Sequence, residues 1–240
     1  MTAERKRLGV IVPSVNVVME PDMYAMAPSN VSVHFSRAVI TEDSPEQLAR
    51  MVNDVPRCCE ELSHGHMDVY AFGCTSGSLL GGVGYDSEIT KVMVEATRRP
   101  ATTTSSAALD ALRAVGARCI SIATPYEDWL NARVKVFFAQ NGFHVVAISG
   151  LGIKEPHGQA NQDPETIRKL ALAVNTPEAD AVFISCTDFR AVEAIARIEK
   201  DLGKPVISSN QATMWKMLHL CGILQRVEGF GKLFALTAPV

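Results

Sequence analysis

The chain has 240 residues, 47% hydrophobic and 20% charged, with a formal net charge of −3. So apolar a chain with so small a charge is not a disordered one, and basic clusters no longer than Arg5-Lys6-Arg7 and Arg98-Arg99 argue against a nucleic-acid partner. No apolar run reaches the roughly 18 residues of a membrane span, and the charged start leads into an apolar run without a signal-peptide pattern, so the expected compartment is the cytoplasm.

Residues 8–12 read as a strand, as do 31–40, where Val31, Val33 and Phe35 alternate with other side chains. Residues 45–62 have helical spacing. Ser44 is a good N-cap, Pro45 suits the first helical position, and Glu46 and Gln47 make the first turn polar, while Pro56 predicts a kink. A strand at 67–72, a helix at 87–98 and a short β-prone stretch at 101–104 follow. A helix at 107–115 closes on Gly116. Strands at 118–123, 143–148, 181–185 and 206–208 then alternate with helices at 127–140, 164–174, 191–202 and 212–220. Eight strands alternating with helices predict an α/β fold with parallel sheets. Doubly apolar strands such as 180–185 suit sheets covered on both faces.

The spacing holds a repeat. A strand ending in Cys74-Thr75 is matched by one ending in Cys186-Thr187, 112 residues later. The first strand of each half ends in a proline turn, at Pro13 and Pro125, again 112 residues apart. A looser echo pairs Pro100 with Pro205, 105 residues on. These offsets predict two similar four-stranded α/β halves related by a pseudo-twofold axis. The expected division is 1–105 plus 211–240 for the first half and 106–210 for the second, closely packed because no Gly-, Ser- or Pro-rich linker divides them. Ligands of open parallel sheets sit beyond the carboxyl ends of the strands, where Cys74 and Cys186 both lie. The pseudo-symmetry therefore predicts two thiols facing one cleft.

Six cysteines without a Cys-x-x-Cys pair or zinc-ligand spacing to a histidine predict neither disulfides nor a metal. Cys58, Cys59, Cys119 and Cys221 read as core residues, and His64 and His66 as solvent or capping residues. The stretch Gly81-Gly82-Val83-Gly84 lacks the Lys-Ser/Thr and the strand-to-helix context of a phosphate loop, so no nucleotide cofactor is expected. Cys74 and Cys186 differ by their repeat. A thiol at a strand–helix junction is expected to have a lowered pKa and to act as base or nucleophile. Two of them can racemise a carbon from opposite sides, or add to a double bond and manage a proton, giving cis–trans isomerisation. Neutral donors, Ser14, Asn16, Thr75, Ser76, Tyr126 and Thr187, point to a small carboxylate substrate, with Arg190 the nearby exception. A non-catalytic anion-binding protein is the rival outside enzymes. The segment 153–162 is the expected lid.

At these residues the chain resembles the aspartate/glutamate racemase superfamily, and within it the maleate isomerase and arylmalonate decarboxylase branch. The resemblance rests on Pro13-Ser14-Val15-Asn16, Gly73-Cys74-Thr75-Ser76-Gly77-Ser78, Thr124-Pro125-Tyr126, Ser185-Cys186-Thr187 and Pro205-Val206-Ile207-Ser208-Ser209-Asn210-Gln211. It implies two α/β halves with the active site between them, no cofactor and a homo-oligomer. Decarboxylases of this type have glycine at the first cysteine position, so both thiols here point to an isomerase or racemase. Amino-acid racemases carry histidine where this chain has Asp188. By similarity, Cys74 is the nucleophile that adds to a cis-butenedioate and Cys186 exchanges a proton with the neighbouring carbon. Asn16 and Tyr126 hold the carboxylates, with Thr75, Ser76 and Thr187 completing the cradle. The chain departs from the isomerases at Glu155-Pro156-His157-Gly158, where an Asp-Asn pair is usual, leaving His157 or Asn161 to replace the asparagine.

Overall fold

The doubly apolar strands assemble into two sheets of four in the computed structural model, which describes residues 5–155 and 157–236. The first sheet has the order β2-β1-β3-β4, from β1 (Lys6–Pro13), β2 (Val31–Ala38), β3 (Val69–Phe72) and β4 (Ala101–Thr103). The second repeats it as β6-β5-β7-β8, from β5 (Cys119–Thr124), β6 (His144–Gly150), β7 (Ala181–Ile184) and β8 (Val206–Ser208). Every pairing is parallel. The strand before each cysteine, β3 or β7, thus occupies the same place in its sheet, as the 112-residue repeat requires. Both are buried along their whole length, which accounts for their unbroken apolar runs.

Helices α5 (Tyr85–Thr97), α6 (Thr104–Ala114), α7 (Asp128–Gln140), α8 (Pro164–Val174) and α10 (Ser209–Leu220) stand where periodicity places them. Two of them begin three residues earlier than expected, because hydroxyls cap them. The Thr103 side chain accepts from the Ser106 N–H ahead of α6, and Ser208 forms a capping box with Gln211 ahead of α10. The single helix expected over 45–62 is two, α2 (Pro45–Val52) and α3 (Val55–Ser63). Pro56 lies in the first turn of α3, where its missing N–H leaves no intrahelical bond unmade, so it starts a helix rather than bending one. A 3₁₀ turn at Val192–Ala194 precedes α9 (Ile195–Leu202). Two helices were not expected at all, α1 (Met19–Met26) and α4 (Thr75–Leu79).

The larger core cluster spans both sheets, from Leu8 and Val10 in β1 to Phe183 in β7 and Trp215 in α10. Helix α10 packs on α6, on α1 and on β3 and β4, so the helix that follows the second sheet leans on the first. The Thr213 hydroxyl donates to Thr104 Oγ1 at 3.0 Å across the buried α10–α6 seam. A smaller cluster, with Ile11, Leu48, Met51 and Phe72, covers the other face of the first sheet. Cys58 and Cys59 are buried in it as expected, whereas Cys119 and Cys221 are only half-buried. Among the described residues no helix is long and apolar enough to cross a membrane.

Candidate active site

Cys74 sits where β3 gives way to α4. The chain turns through Gly73, where a Cβ would lie 2.6 Å from Met19 Sδ and 3.1 Å from the Ile11 carbonyl oxygen, so a larger residue would have to displace Met19. Cys74 then caps α4, its Sγ accepting from the Gly77 N–H at 3.3 Å and lying 3.5 Å from Ser76 Oγ. The Ser78 hydroxyl donates to the Cys74 carbonyl at 2.7 Å and lies 2.6 Å from Ser105 Oγ, which locks the turn to α6.

Cys186 follows β7 in the corresponding place, but its backbone φ is +133°, a region that L residues rarely adopt. Bonds on both sides hold it there. Its N–H donates to Ser209 Oγ at 3.0 Å, and that hydroxyl lies 2.9 Å from Thr75 Oγ1. The Cys186 thiol donates to Gln159 Oε1 at 3.0 Å and its sulfur accepts from the Asp188 N–H at 3.3 Å. Thr187 Oγ1 donates to the Gly73 carbonyl at 3.1 Å and accepts from Asn16 Nδ2 at 3.1 Å. The turns carrying the two cysteines are thus bonded directly to each other. Asn16 does double duty, because its Oδ1 accepts from the N–H groups of Val18 and Met19 and so opens α1.

Cys74 and Cys186 line one small cavity, shared with Asn16, Thr75, Ser76, Tyr126 and Thr187. Every residue expected in the site is there except Ser14. Its hydroxyl donates to the Ile40 carbonyl at 2.8 Å and accepts from the Ile40 N–H at 3.0 Å, which fixes the loop after β2 rather than facing the thiols. Arg190 is also outside, paired with Glu193 at 2.9 and 3.1 Å in a neighbouring groove that holds Asn161. From the expected lid segment, Gln159 is the residue that reaches the thiols, rather than His157 or Asn161; Pro156 lies outside the described residues. Gln159 Nε2 donates to Asp43 Oδ2 at 2.8 Å, joining the loop after β6 to the loop after β2 across the cavity. Sequence reasoning missed Asp43 and Gln159, which are 116 residues apart, sit in loops and carry no periodic or repeat signal.

The electrostatics reverse the expectation of lowered thiol pKa values. Burial pushes the Cys74 thiol up to about 12, with Asp43 and Asp188 adding to the rise and bonds from Ser76 and the Gly77 N–H opposing it. Cys186 is likewise pushed well above the ordinary range, by burial first and then by Asp188 and Asp43, against the Asp188 N–H and Tyr126. The junction N–H groups are present, as predicted, but they are outweighed by desolvation and by two nearby carboxylates. Burial raises Asp43 and Asp188 as well. The resting site therefore holds two neutral thiols.

A cavity framed by two like α/β halves, with one thiol from each at the carboxyl end of the third strand, defines a class of cysteine enzymes. The profile of the arylmalonate decarboxylase family matches residues 8–234, and the chain belongs to that family. It is 30% identical over 242 residues to the maleate isomerase of Pseudomonas putida KT2440, covering 95% of this chain and 97% of that one. It is 29% identical over 235 residues to the arylmalonate decarboxylase of Bordetella bronchiseptica, covering 97% and 98%. Among solved structures, a cysteine-to-alanine variant of the maleate isomerase Iso from Pseudomonas putida S16, crystallised with maleate, superposes with a TM-score of 0.93 at 30% identity, covering 97% of this chain and 98% of that one.

Proposed function

We propose that the chain is a cofactor-independent cis–trans isomerase of a small unsaturated dicarboxylate, of the maleate-to-fumarate type. The observation that carries this is the convergence of Cys74 and Cys186, one following each sheet's third strand, on a single cavity whose lining includes the uncharged donors Asn16, Thr75, Ser76, Tyr126 and Thr187. The maleate isomerase relatives support it, and the presence of a thiol at position 74 as well as 186 weighs against the decarboxylase alternative. The division into halves 1–105 plus 211–240 and 106–210 belongs to the same reading, each half supplying one sheet and one thiol.

Cys74 is assigned as the nucleophile. A thiol pKa of about 12 makes a free thiolate unfavourable by about 7 kcal/mol at pH 7, so the resting state is S–H and bond formation is coupled to proton movement. The sulfur bonds one alkene carbon while the π pair moves to the other, which takes its proton from Cys186. The Cys74 proton passes to the Cys186 sulfur, so the net step is addition of S–H across the double bond and every atom is accounted for. The central C–C bond is now single and rotates. Cys186 then removes the proton it gave, the C–S bond breaks, and Cys74 regains its hydrogen. Asn16 Nδ2, Ser76, Thr75, Tyr126 and Thr187 surround the carboxylates, and their fixed dipoles stabilise the enediolate-like charge that develops between addition and protonation.

Proton NMR with maleate tests this. The native chain is expected to produce fumarate signals, and Cys74→Ala and Cys186→Ala to produce none. No conversion of maleate by the native chain would refute maleate as the substrate, and full turnover by Cys74→Ala would refute the covalent role.

A further inference from the structure

The two thiols stand in equivalent places in the repeat, yet they are not bonded alike. Each sulfur accepts one N–H of its own turn at 3.3 Å, from Gly77 for Cys74 and from Asp188 for Cys186. The nearby carboxylates do not tell the thiols apart, for Asp43 and Asp188 bear on both. The difference lies in the second bond. Cys74 Sγ has a hydroxyl beside it, Ser76 Oγ at 3.5 Å, which can give a hydrogen as well as take one. Cys186 instead gives its own hydrogen to an amide oxygen, Gln159 Oε1, at 3.0 Å. Tyr126 also faces Cys186 but favours its thiolate, and so works against that bond. Which end of the amide meets the sulfur is not free. Gln159 Nε2 lies 2.8 Å from Asp43 Oδ2, and an ionised carboxylate has no hydrogen to offer. The nitrogen therefore faces Asp43 and the oxygen faces Cys186. With the amide reversed, Nε2 would donate to the sulfur and favour the thiolate.

We infer that Gln159, oriented by Asp43, gives two like thiols their different roles: it holds the hydrogen on Cys186, which makes that residue the acid, and so leaves Cys74 to form the bond to carbon. The amide oxygen is too weak a base to remove the hydrogen and serves only to keep and aim it. When substrate fills the cavity, rotation about the Cys186 Cβ–Sγ bond turns the S–H from Oε1 toward the alkene carbon, and the hydrogen that arrives from Cys74 restores the bond to Oε1. Gln159 and Asp43 are positioning residues in this account. Neither exchanges a proton with substrate, and Asp43 acts through Gln159. The assignment of roles rests on the isomerase reading; the unequal bonding of the thiols rests on the geometry alone.

Two readouts on the full chain test it. The first is the infrared S–H stretch, which falls in frequency when a thiol donates a hydrogen bond; subtracting the spectrum of the matching Cys→Ala variant isolates each thiol. The Cys186 band is expected below the Cys74 band. It should rise in Gln159→Leu, which has no acceptor, and stay low in Gln159→Glu, which shares one proton with Asp43 and keeps an outer oxygen for the thiol. In Asp43→Ala, where the amide is free to turn, it should lie between. The second readout is the site of attachment of maleate when turnover is quenched with acid, read by peptide mass spectrometry. The native adduct is expected on Cys74, and in Gln159→Leu the share on Cys186 should grow at least ~5-fold, while kcat falls at least ~5-fold with KM nearly unchanged. If Gln159→Leu melts early, Gln159→Glu and Asp43→Ala still decide the matter. A native Cys186 band no lower than that of Cys74, or one unmoved in both Gln159→Leu and Asp43→Ala, overturns the inference. So does a Gln159→Leu effect on KM alone, which would make Gln159 a substrate contact. Infrared bands as expected with neither adduct nor fumarate from the native chain would refute maleate isomerisation and leave the unequal bonding of the thiols standing.

Discussion

Replacing Cys186 with glycine is expected to make the protein more stable than replacing it with alanine, while both variants are inactive. At φ +133° a residue with a Cβ is strained, by about 1–3 kcal/mol. Alanine keeps the Cβ and the strain; glycine removes both. Both variants lose the same sulfur contacts, to Gln159 Oε1 and the Asp188 N–H, so those cancel in the comparison. Against the relief stands the greater unfolded-state freedom of glycine, about 0.5–1 kcal/mol. The net advantage of Cys186→Gly over Cys186→Ala is then about 0–2.5 kcal/mol, centred on ~1 kcal/mol, or roughly 2–4 °C in Tm for a chain of this size. Urea unfolding followed by circular dichroism, with isomerisation measured in parallel, is the assay. A glycine variant less stable than the alanine variant by about 0.5–1 kcal/mol, the unfolded-state cost alone, would show that the backbone at Cys186 stores no strain.

Three further outcomes follow from the geometry. The carboxyl of buried Asp22 is pushed up to about 7, chiefly by burial and by Glu193, against the Asn210 side chain and Arg190. A raised folded pKa means stability that is fully present below the unfolded value of 3.8 and is lost as pH climbs through 7. That amounts to about 4 kcal/mol spread between pH 3.8 and pH 7, so the urea midpoint of the native chain should fall across that range more steeply than that of Asp22→Asn and run parallel to it above pH 7. Asn16→Asp keeps the oxygen that caps α1 but loses the donor to Thr187 and buries a charge beside Asp188; kcat/KM should drop by about 100-fold, Tm should fall as well, and retained activity would remove Asn16 from the site. Ser209→Ala strands the buried Cys186 N–H and should cost about 1–3 kcal/mol in a chemical denaturation.

What the sequence disclosed, and what it withheld, divides along range. The pairing of Cys74 with Cys186 was legible because duplication writes a tertiary fact into a constant offset, and the all-parallel sheets were legible because both faces of β3 and β7 are covered. Helix α8 was placed to the residue, since Asp163 caps it and Pro164 opens it. Helix α1 was missed although Met19, Met23 and Met26 mark its buried face. It is short, has Pro21 inside its first turn, and is opened by a side chain two residues before its usual cap position. Helix α4 is five small or polar residues with an interior glycine, which carries no helical period. The direction of the thiol pKa shifts and the Asp43–Gln159 contact depend on burial and on loops meeting from different halves, and neither leaves a local trace.

The hydrogen-bonded closure of Gln159 over Cys186 has a consequence for the lifetime of the enzyme in an oxidising environment. Peroxide attacks thiolate, and does so where solvent brings it. Here Cys74 and Cys186 are 4% and 5% exposed, both are protonated when idle, and Asp43 and Gln159 bridge the cavity beside them. In the proposed mechanism, sulfur loses its proton only while substrate fills the cavity. Two thiols so buried and so weakly acidic should be oxidised to sulfenic and sulfinic acids more slowly than an open, acidic thiol.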